Sequence, residues 1–338
     1  MKLVVNNNQY DFFNGVNVTL KYDSVGGTFK FDMVFNPDDP NHRELVRPLT
    51  FPTAKIVHGS ETLLTGTVVH HSGNSASADS LVTLSGYSIP GILEDVTIPL
   101  SAWPLQSDTL SLREIANRVC DPFNVVVKID PAVSSLMNQT FDSTDARPDQ
   151  TVKSYLTTLA SQKSIILSST PDGHLLFTKA TTNKKPIADL STVLKKTLVV
   201  DGRGMNDTIV VVGESNIDGG NAAEASYSSG LITNNRPRTV VQSSGDDNDS
   251  PKVASQYGAT QLKKIALTIE LHTWTIEDRI IFPNNLVTVQ DKKLGLYEKS
   301  DWFVEAVTFT GNESKQVSTL SCVPPSAFDG TKPKNPFK

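Results

Sequence analysis

The stretch from 15 to 35, GVNVTLKYDSVGGTFKFDMVF, limits what this chain can fold into more than any other. Val16, Val18, Leu20 and Tyr22 alternate with polar residues, a glycine-containing turn follows at 23–27, and Phe29, Phe31, Met33 and Phe35 alternate again. A period of two puts each set on one face of a strand, so the spacing predicts an antiparallel hairpin with one buried side. An isolated hairpin is marginal in water and needs further strands.

Further strands follow. After a Pro- and Asp-rich loop (36–52), AKIVHGSETLLTGTVVHH reads as a strand pair around a His-Gly-Ser turn, and SLVTLSGYS as the next strand. Short strands at such regular spacing suggest a small antiparallel barrel or sandwich. Composition agrees, since 33 Val and 33 Thr among 338 residues favour pleated sheets.

The pattern changes after residue 105. Ser111 and Glu114 have capping-box spacing, Leu112, Ile115, Ala116 and Val119 share a helical stripe, and Asp121-Pro122 ends the helix. FNVVVKI reads as a strand. Pro148 is the expected first position of a second helix, with Val152, Tyr155, Leu156 and Leu159 on one stripe. SIILSS, a Pro171-Asp172-Gly173 turn and HLLFTKA complete an α-β-α-β-β module.

From about 190 the strands return as KTLVV, DTIVVVGES, LTIELHTW, LVTV, WFVEAVTF and QVSTLSCV. A polar stretch at 214–251 is expected to be a long, partly mobile loop, followed by a short helix from Val253 to about Lys264. The fold class is therefore α+β and predominantly antiparallel β. The expected domains are a β domain at 1–102, a small α/β domain at 103–185, a β domain at 186–323 whose loop and helix occupy about 214–264, and an extended tail at 324–338. The two β domains are of similar length, as a diverged pair would be.

Several function classes lose support. Lys+Arg 31 against Asp+Glu 36 gives a net charge of −5, with no basic run longer than two, which argues against a dedicated nucleic-acid binder. Cys120 and Cys322 form no C-x-x-C pair and read as buried thiols. The start lacks a signal-peptide pattern and no window approaches 18 apolar residues, so a soluble chain made in the cytoplasm, without membrane contact, is expected. The sequons at Asn17, Asn138, Asn206, Asn248 and Asn312 carry little weight in that setting.

Candidate sites fare no better. DGRGMND at 201–207 lacks the third glycine and helix of a dinucleotide fingerprint and reads as a turn, and no P-loop exists. His70 and His71 point to opposite faces of a strand, so they cannot easily share an ion, even with His58 or Asp79 nearby; they read as a strand end. His42, His174 and His272 lack partners. Asp246, Asp247, Asn248 and Asp249 miss the calcium-loop spacing and read as a solvated loop. No G-x-S-x-G exists, and Glu94-Asp95 has no glycosidase content without a carboxylate separation. Trp103, Trp274 and Trp302 would suit a sugar platform, but Trp274 and Trp302 lie in predicted strands and read as core. No catalytic, cofactor-binding or metal-ligating residue is assigned, and no partner-binding residue is singled out. A structural or adaptor role is favoured.

Three stretches, taken in order, resemble the baseplate hub (tail hub, late-control) proteins of contractile-tailed bacteriophages. The first runs from the opening hairpin through KIVHGSETLLTGTVVH to LVTLSGYSIPGILEDV, with Gly59, Leu64, Thr65, Gly66, Ser85, Gly86, Tyr87, Leu93 and Asp95 at matching positions. The second is the capped helix, FNVVVKI and DQTVKSYLTTLASQKSIILSSTPDGHLLFTKA. The third runs from IFPNNLVTVQD to the closing V-x-P of SCVPPSAF. Tyr87 departs from the pattern, standing where an Arg often follows S-G.

The resemblance implies two tube-type β-barrels flanking the small α/β domain, no enzymatic activity and no cofactor. It implies a homotrimer with a pseudo-sixfold surface, meeting the tail tube protein on one face and a central spike protein on the other, beside other baseplate proteins. DNA would pass only transiently, and the protein would reside in the virion baseplate after assembly in the host cytoplasm. Because little follows Pro324-Pro325, a separate spike is expected, and Ser326 to Lys338 is expected to be disordered or to dock on a partner. Residues 1–100 carry 6 basic and 10 acidic side chains, 101–180 carry 7 and 8, and 181–338 carry 18 and 18. Part of the first barrel's negative charge is expected to line the channel and keep DNA from sticking. The alternatives are a hub of a phage-derived bacteriocin or related contractile injection system, a tail-associated cell-wall hydrolase, and a carbohydrate-binding module. A deep polar cleft would mark the hydrolase, and tryptophans on a concave face the carbohydrate binder.

Overall fold

The computed structural model describes residues 1–6, 8–11, 13–45, 47–75, 80–102, 106–142, 144–213, 224–228, 230–242, 250–312, 314–329, 331 and 334–337. The chain forms two compact units: Met1–Lys179 with His272–Trp274 and Ala306–Ser318, and Ala180–Leu271 with Thr275–Glu305 and Thr319–Lys338.

The first unit opens with β1 (Lys2–Val5) and β2 (Asn8–Tyr10), then the hairpin of β3 (Gly15–Lys21) and β4 (Thr28–Val34), in register from Gly15↔Asp32 to Thr19↔Thr28. Val16, Val18, Phe29, Phe31 and Met33 are buried while Asn17 and Lys30 are exposed, so the period-two pattern sets the face. The loop expected at 36–52 contains α1 (Pro40–Leu45). Asp39 precedes it, accepting the Asn41 N–H at 2.8 Å, and Leu45 anchors it in the core. β5 (Thr53–His58), β6 (Glu61–Ser75) and β7 (Ser80–Ser88) follow. His70 and His71 do not end a strand: β6 continues through both because β7 pairs with it as far as Ser75↔Ser80.

α2 (Leu112–Cys120) starts at a complete capping box, in which the Glu114 N–H donates to Ser111 Oγ at 3.3 Å and the Ser111 N–H to Glu114 Oε2 at 2.8 Å. β8 (Val127–Ile129), α3 (Ser134–Met137), α4 (Val152–Gln162), β9 (Ile166–Ser169) and β10 (Leu175–Thr178) complete the module. FNVVVKI yields only three strand residues, because Asn124 closes a 3-10 turn in the left-handed conformation (φ 56°). The second helix starts after Pro148, because Thr151 is its cap and accepts the Ser154 N–H at 3.2 Å. The module's sheet runs β8-β10-β9, with β8 parallel and β9 antiparallel to β10.

The second unit contains β11 (Ala188–Asp189), β12 (Lys195–Val200), β13 (Thr208–Gly213), β14 (Glu224–Ser228), β15 (Arg238–Gln242), α5 (Ser250–Gln261), β16 (Ile265–Leu271) and β17 (Leu286–Asp291). β18 (Leu296–Gly311), β19 (Gln316–Val323) and α6 (Ser326–Asp329) end the chain. The last residues of β18 belong to the first unit, where they pair antiparallel with β3 from Ala306↔Lys21 to Gly311↔Val16. The first unit's sheet thus runs β2-β1-β5-β6-β7-β4-β3-β18, and the second unit's β12-β16-β19-β18-β17-β11.

Two sequence expectations change in the second unit. The 214–251 stretch is not all loop, since β14 and β15 flank β13, antiparallel and parallel respectively. Tyr227 and Val240 pack there against Ile209, Val211 and Ala254, which is enough apolar surface to order two strands in a polar segment. Residues 214–223, 229 and 243–249 of that stretch lie outside the described residues. Nor is the segment after Val323 simply extended. α6 buries Ala327, and Phe328 packs on Phe303 with ring centroids 4.7 Å apart, with the Lys263 ammonium 4.2 Å from the Phe328 ring. The whole is mostly antiparallel β-sheet with few helices.

Candidate functional site

Gly66, Gly86, Tyr87, Leu93 and Asp95 come together where β7 leaves β6. A Cβ on Gly66 would stand 2.1 Å from the Tyr87 carbonyl oxygen, and one on Gly86 1.9 Å from that of Thr67. The two backbones approach so closely that only glycine fits. The Tyr87 hydroxyl donates to Asp95 Oδ2 at 2.6 Å, and burial followed by this bond pushes the phenol up to about 12. Leu64 and Leu93 are buried below. Gly59 closes the β5–β6 turn at φ 59°.

Neighbouring bonds make this a joint between sheet and module inside the first unit. Ser88, almost fully buried, donates from Oγ to the Val25 carbonyl at 3.0 Å and accepts the Gly27 N–H at 3.1 Å, fastening the hairpin turn. Lys153 on α4 reaches Glu94 Oε1 at 2.6 Å, and the Val152 N–H donates to Val96 O at 3.0 Å. The β9–β10 turn abuts β6, where a Cβ on Gly173 would stand 3.0 Å from Thr65 O. The sequence flagged Gly66, Gly86, Tyr87 and Asp95 but missed Ser88 and Lys153. The only signal for Gly173 was its Pro-Asp-Gly turn.

The other flagged residues do not converge. Cys120 and Cys322 are free and buried; burial pushes the Cys120 thiol up to about 12 and that of Cys322 higher, so neither offers a thiolate at neutral pH. His58 meets Trp274 edge to face at 5.3 Å, and His70 and His71 are exposed on β6. Trp274 and Trp302 are 3% and 1% exposed, donating from Nε1 to Thr310 O and Ser300 Oγ, so neither serves as a sugar platform. Trp274 lies in a bend after β16 rather than in a strand. The 201–207 segment is a turn with Gly204 at φ 66°, and Arg203 beside Asp201 holds that carboxyl down to about 2. Trp103, Asp79, Asp246, Asp247, Asn248 and Asp249 lie outside the described residues.

Among the described residues, no three His, Cys, Asp or Glu side chains gather to hold a metal ion, and no helix is long and apolar enough to cross a membrane. A cavity of about 450 Å³ in the second unit is lined by Asp301 and Asp329. Both carboxylates serve as staples: Asp329 accepts from Thr182 Oγ1 at 2.5 Å and Thr331 Oγ1 at 2.6 Å, and Asp301 from Thr288 Oγ1 at 2.8 Å. Among the described residues, the flagged side chains that meet do so in strand pairings and tight joints.

The module fastened at this joint is also the part of the chain that matches a family model. Residues 96–179 match the second domain of the gp44-like baseplate hub proteins. The hub-like module sits in a chain whose fold is that of tail proteins. The 43 kDa tail protein of prophage MuSo2 from Shewanella oneidensis has a TM-score of 0.83 at 19% identity, over 97% of this chain and 99% of that one. The tail protein from Neisseria meningitidis MC58 has 0.81 at 18%, over 98% of each chain. The E. coli c3393 protein, a type VI secretion component similar in structure to the T4 tail proteins gp27 and gp5, has 0.58 at 9%, over 99% of this chain and 80% of that one. At such identities the likeness is one of fold. No curated protein matches the chain.

Proposed function

We propose that this chain is a structural baseplate hub of a contractile phage tail, a homotrimer that joins the hexameric tail tube to a separate trimeric spike and forms part of the DNA channel. One observation carries the reading: a hub-type module at 96–179 within a chain that shares a tail-protein fold over nearly its whole length. In this reading 1–102 and 186–323 are tube-type barrels flanking the module at 103–185. Three copies then present six similar edges to six tube subunits and three identical faces to the spike. Part of the first barrel's negative charge lines the channel. The role is mechanical, without catalysis or cofactor, in a baseplate assembled in the host cytoplasm with other baseplate proteins.

Co-expression with the neighbouring tube and spike genes tests the reading. The expected product is a complex with three copies of this chain, threefold at the spike and sixfold at the tube. A persistent monomer that binds neither overturns it. A hub of a contractile injection or secretion machine is the second reading, favoured by the shared fold of the E. coli secretion component. Particles purified with a DNA-filled head select the first reading, and headless particles the second.

A further inference from the structure

One stretch of the first unit's sheet lacks a neighbour on one side. β5 accompanies β6 only to Thr53↔Thr67, and the last bond along that flank runs from the Val68 N–H to Pro52 O at 3.0 Å. Beyond the bulge at Val69, from His70 to Ser75, β6 pairs only with β7 among the described residues. Its outer backbone donors and acceptors are a template for another strand. Proline and lysine commonly blunt such edges, but this one reads Val-His-His-Ser-Gly-Asn, exposed from Val69 to Asn74, with a single bulge at its start.

The edge overlooks a groove of about 590 Å³ lined by Phe35, Pro37, Pro48 and Leu81, with Arg43 and Arg47 on its wall. Val34, paired with Leu81 across β4 and β7, is 50% exposed, and Leu49 and Phe51, which follow the groove's Pro48 in the chain, are 86% and 54% exposed. Leu49 and Phe51 also hold left-handed backbone, at φ 64° and 45°. Bulky residues adopt that conformation at a cost, and strain of this kind clusters at functional surfaces. Apolar exposure, strain and an open edge thus meet in one place.

We propose that the open edge of β6 and this groove form a docking site for an extended acidic segment of another protein, which joins the sheet as an added strand. Backbone pairing sets its register, alternate apolar side chains enter the groove, and carboxylates meet Arg43 and Arg47. Charge selects the occupant. A second copy paired isologously, edge to edge, would bring Arg43 and Arg47 toward their own counterparts. A nucleic acid would engage the arginines but has no strand to pair and no use for an apolar floor. The site stands independently of the hub reading, because co-purification with tube and spike tests that reading without it.

The test titrates the full chain into a fluorescein-labelled ten-residue peptide of alternating valine and glutamate, read by fluorescence anisotropy. Controls are a valine–lysine peptide, the acidic peptide N-methylated along its pairing side, and a single-stranded oligonucleotide. The acidic peptide is expected to bind roughly tenfold tighter than each control and to protect amides 69–75 from hydrogen exchange. The double substitution Arg43→Gln and Arg47→Gln removes that preference with little change in melting temperature, since both side chains are exposed and the only ion pair lost among the described residues, Arg47 with Glu44 at 3.7 Å, is a surface one. The proposal is overturned by any of four results: no binding of the acidic peptide, equal binding of the N-methylated form, tighter binding of the oligonucleotide, or protection of 69–75 by self-association alone.

Discussion

The α/β module of the first unit and the small sheet of the second are alike in plan and unlike in substance. Each is a mixed three-stranded sheet covered by helix: β8-β10-β9 under α2 and α4, and β14-β13-β15 under α5. Among the described residues, the core cluster at the module holds 22 buried residues, all but Val25 and Leu93 within 96–179, whereas the small sheet's holds three, Ile209, Val211 and Ala254. Stabilisation scales with apolar area removed from water, so the module carries its own core while the small sheet depends on the unit around it. Topology alone does not make a domain; the amount of core behind it does. The module should therefore open only with the global transition, and the small sheet locally, well before it.

The most severe way to break this comparison is to cut one side chain from each core. Phe177→Ala, fully buried in β10, should cost about 3–5 kcal/mol and lower the main unfolding transition. Val211→Ala removes two methyl-sized groups, costs about 2 kcal/mol, and should speed amide exchange in β13 and β15 while leaving the main transition near its place. Calorimetry with exchange mass spectrometry separates the two. If both variants shifted one common transition by equal amounts, the small sheet would not be a dependent lobe.

A milder contrast lies in two glycines. Gly173, at the module's β9–β10 turn, has φ 82° and faces the Thr65 carbonyl, which cannot move without β6. Gly173→Ala should therefore cost about 2 kcal/mol from left-handed strain and overpacking together. Gly258 lies in α5, where a Cβ would meet the Tyr227 ring at 2.0 Å and force that half-buried ring to shift against Ile209 and Val211, at a cost of about 1–2 kcal/mol. Alanine gains about 1 kcal/mol of helix propensity there, so Gly258→Ala should fall within about 1 kcal/mol of neutral. Denaturant melts of the two variants check the order, and a larger loss at Gly258 would mean the small sheet is packed as rigidly as the joint.

The same two regions divide what could be read from sequence. The module was legible because its signals are local: the Ser111–Glu114 box and the stripes of α2 and α4 each lie within a few turns of one helix. Its helix start was misread at Pro148, since the cap that decides it, Thr151, is as common in loops as in caps. The small sheet was not legible. β14 and β15 are five residues each in a polar stretch, and β15 pairs parallel with β13 across 29 positions, from Ile209 to Arg238, which no local pattern encodes. α6 was hidden for a similar reason, because Phe328 is held by Phe303 and Lys263, both distant in sequence. At the joint, Gly66, Gly86, Tyr87 and Asp95 were flagged by resemblance, but their meeting depends on the β6/β7 register. The open edge of β6 was unreadable because only β7 carries that strand past His71.

Acid gives the smallest test of the comparison, because each region has a carboxylate at its edge that accepts backbone and hydroxyl bonds. Glu114 in the module is held below its ordinary value of 4.5, first by the Ser111 hydroxyl and then by the Ser111 N–H. Asp207 before β13 is held below 3.8, first by the Arg236 N–H and then by the Thr208 hydroxyl. A carboxyl depressed in the folded state stabilises fully above its unfolded value and loses that contribution as pH falls through the folded one. Stability should therefore begin to decline in the module's cap just below about 4.5 and at Asp207 below about 3.8. The structural response should be reversed. Loss of the cap leaves α2 pinned by its buried stripe, whereas loss of the Asp207–Arg236 bond frees the entry to β15, which has little core to hold it. Carboxyl chemical shifts followed against pH, with exchange protection measured alongside, should show both groups titrating low, and β15 losing protection while α2 keeps it. Loss of protection in α2 first would show that the cap rather than the core holds the module together.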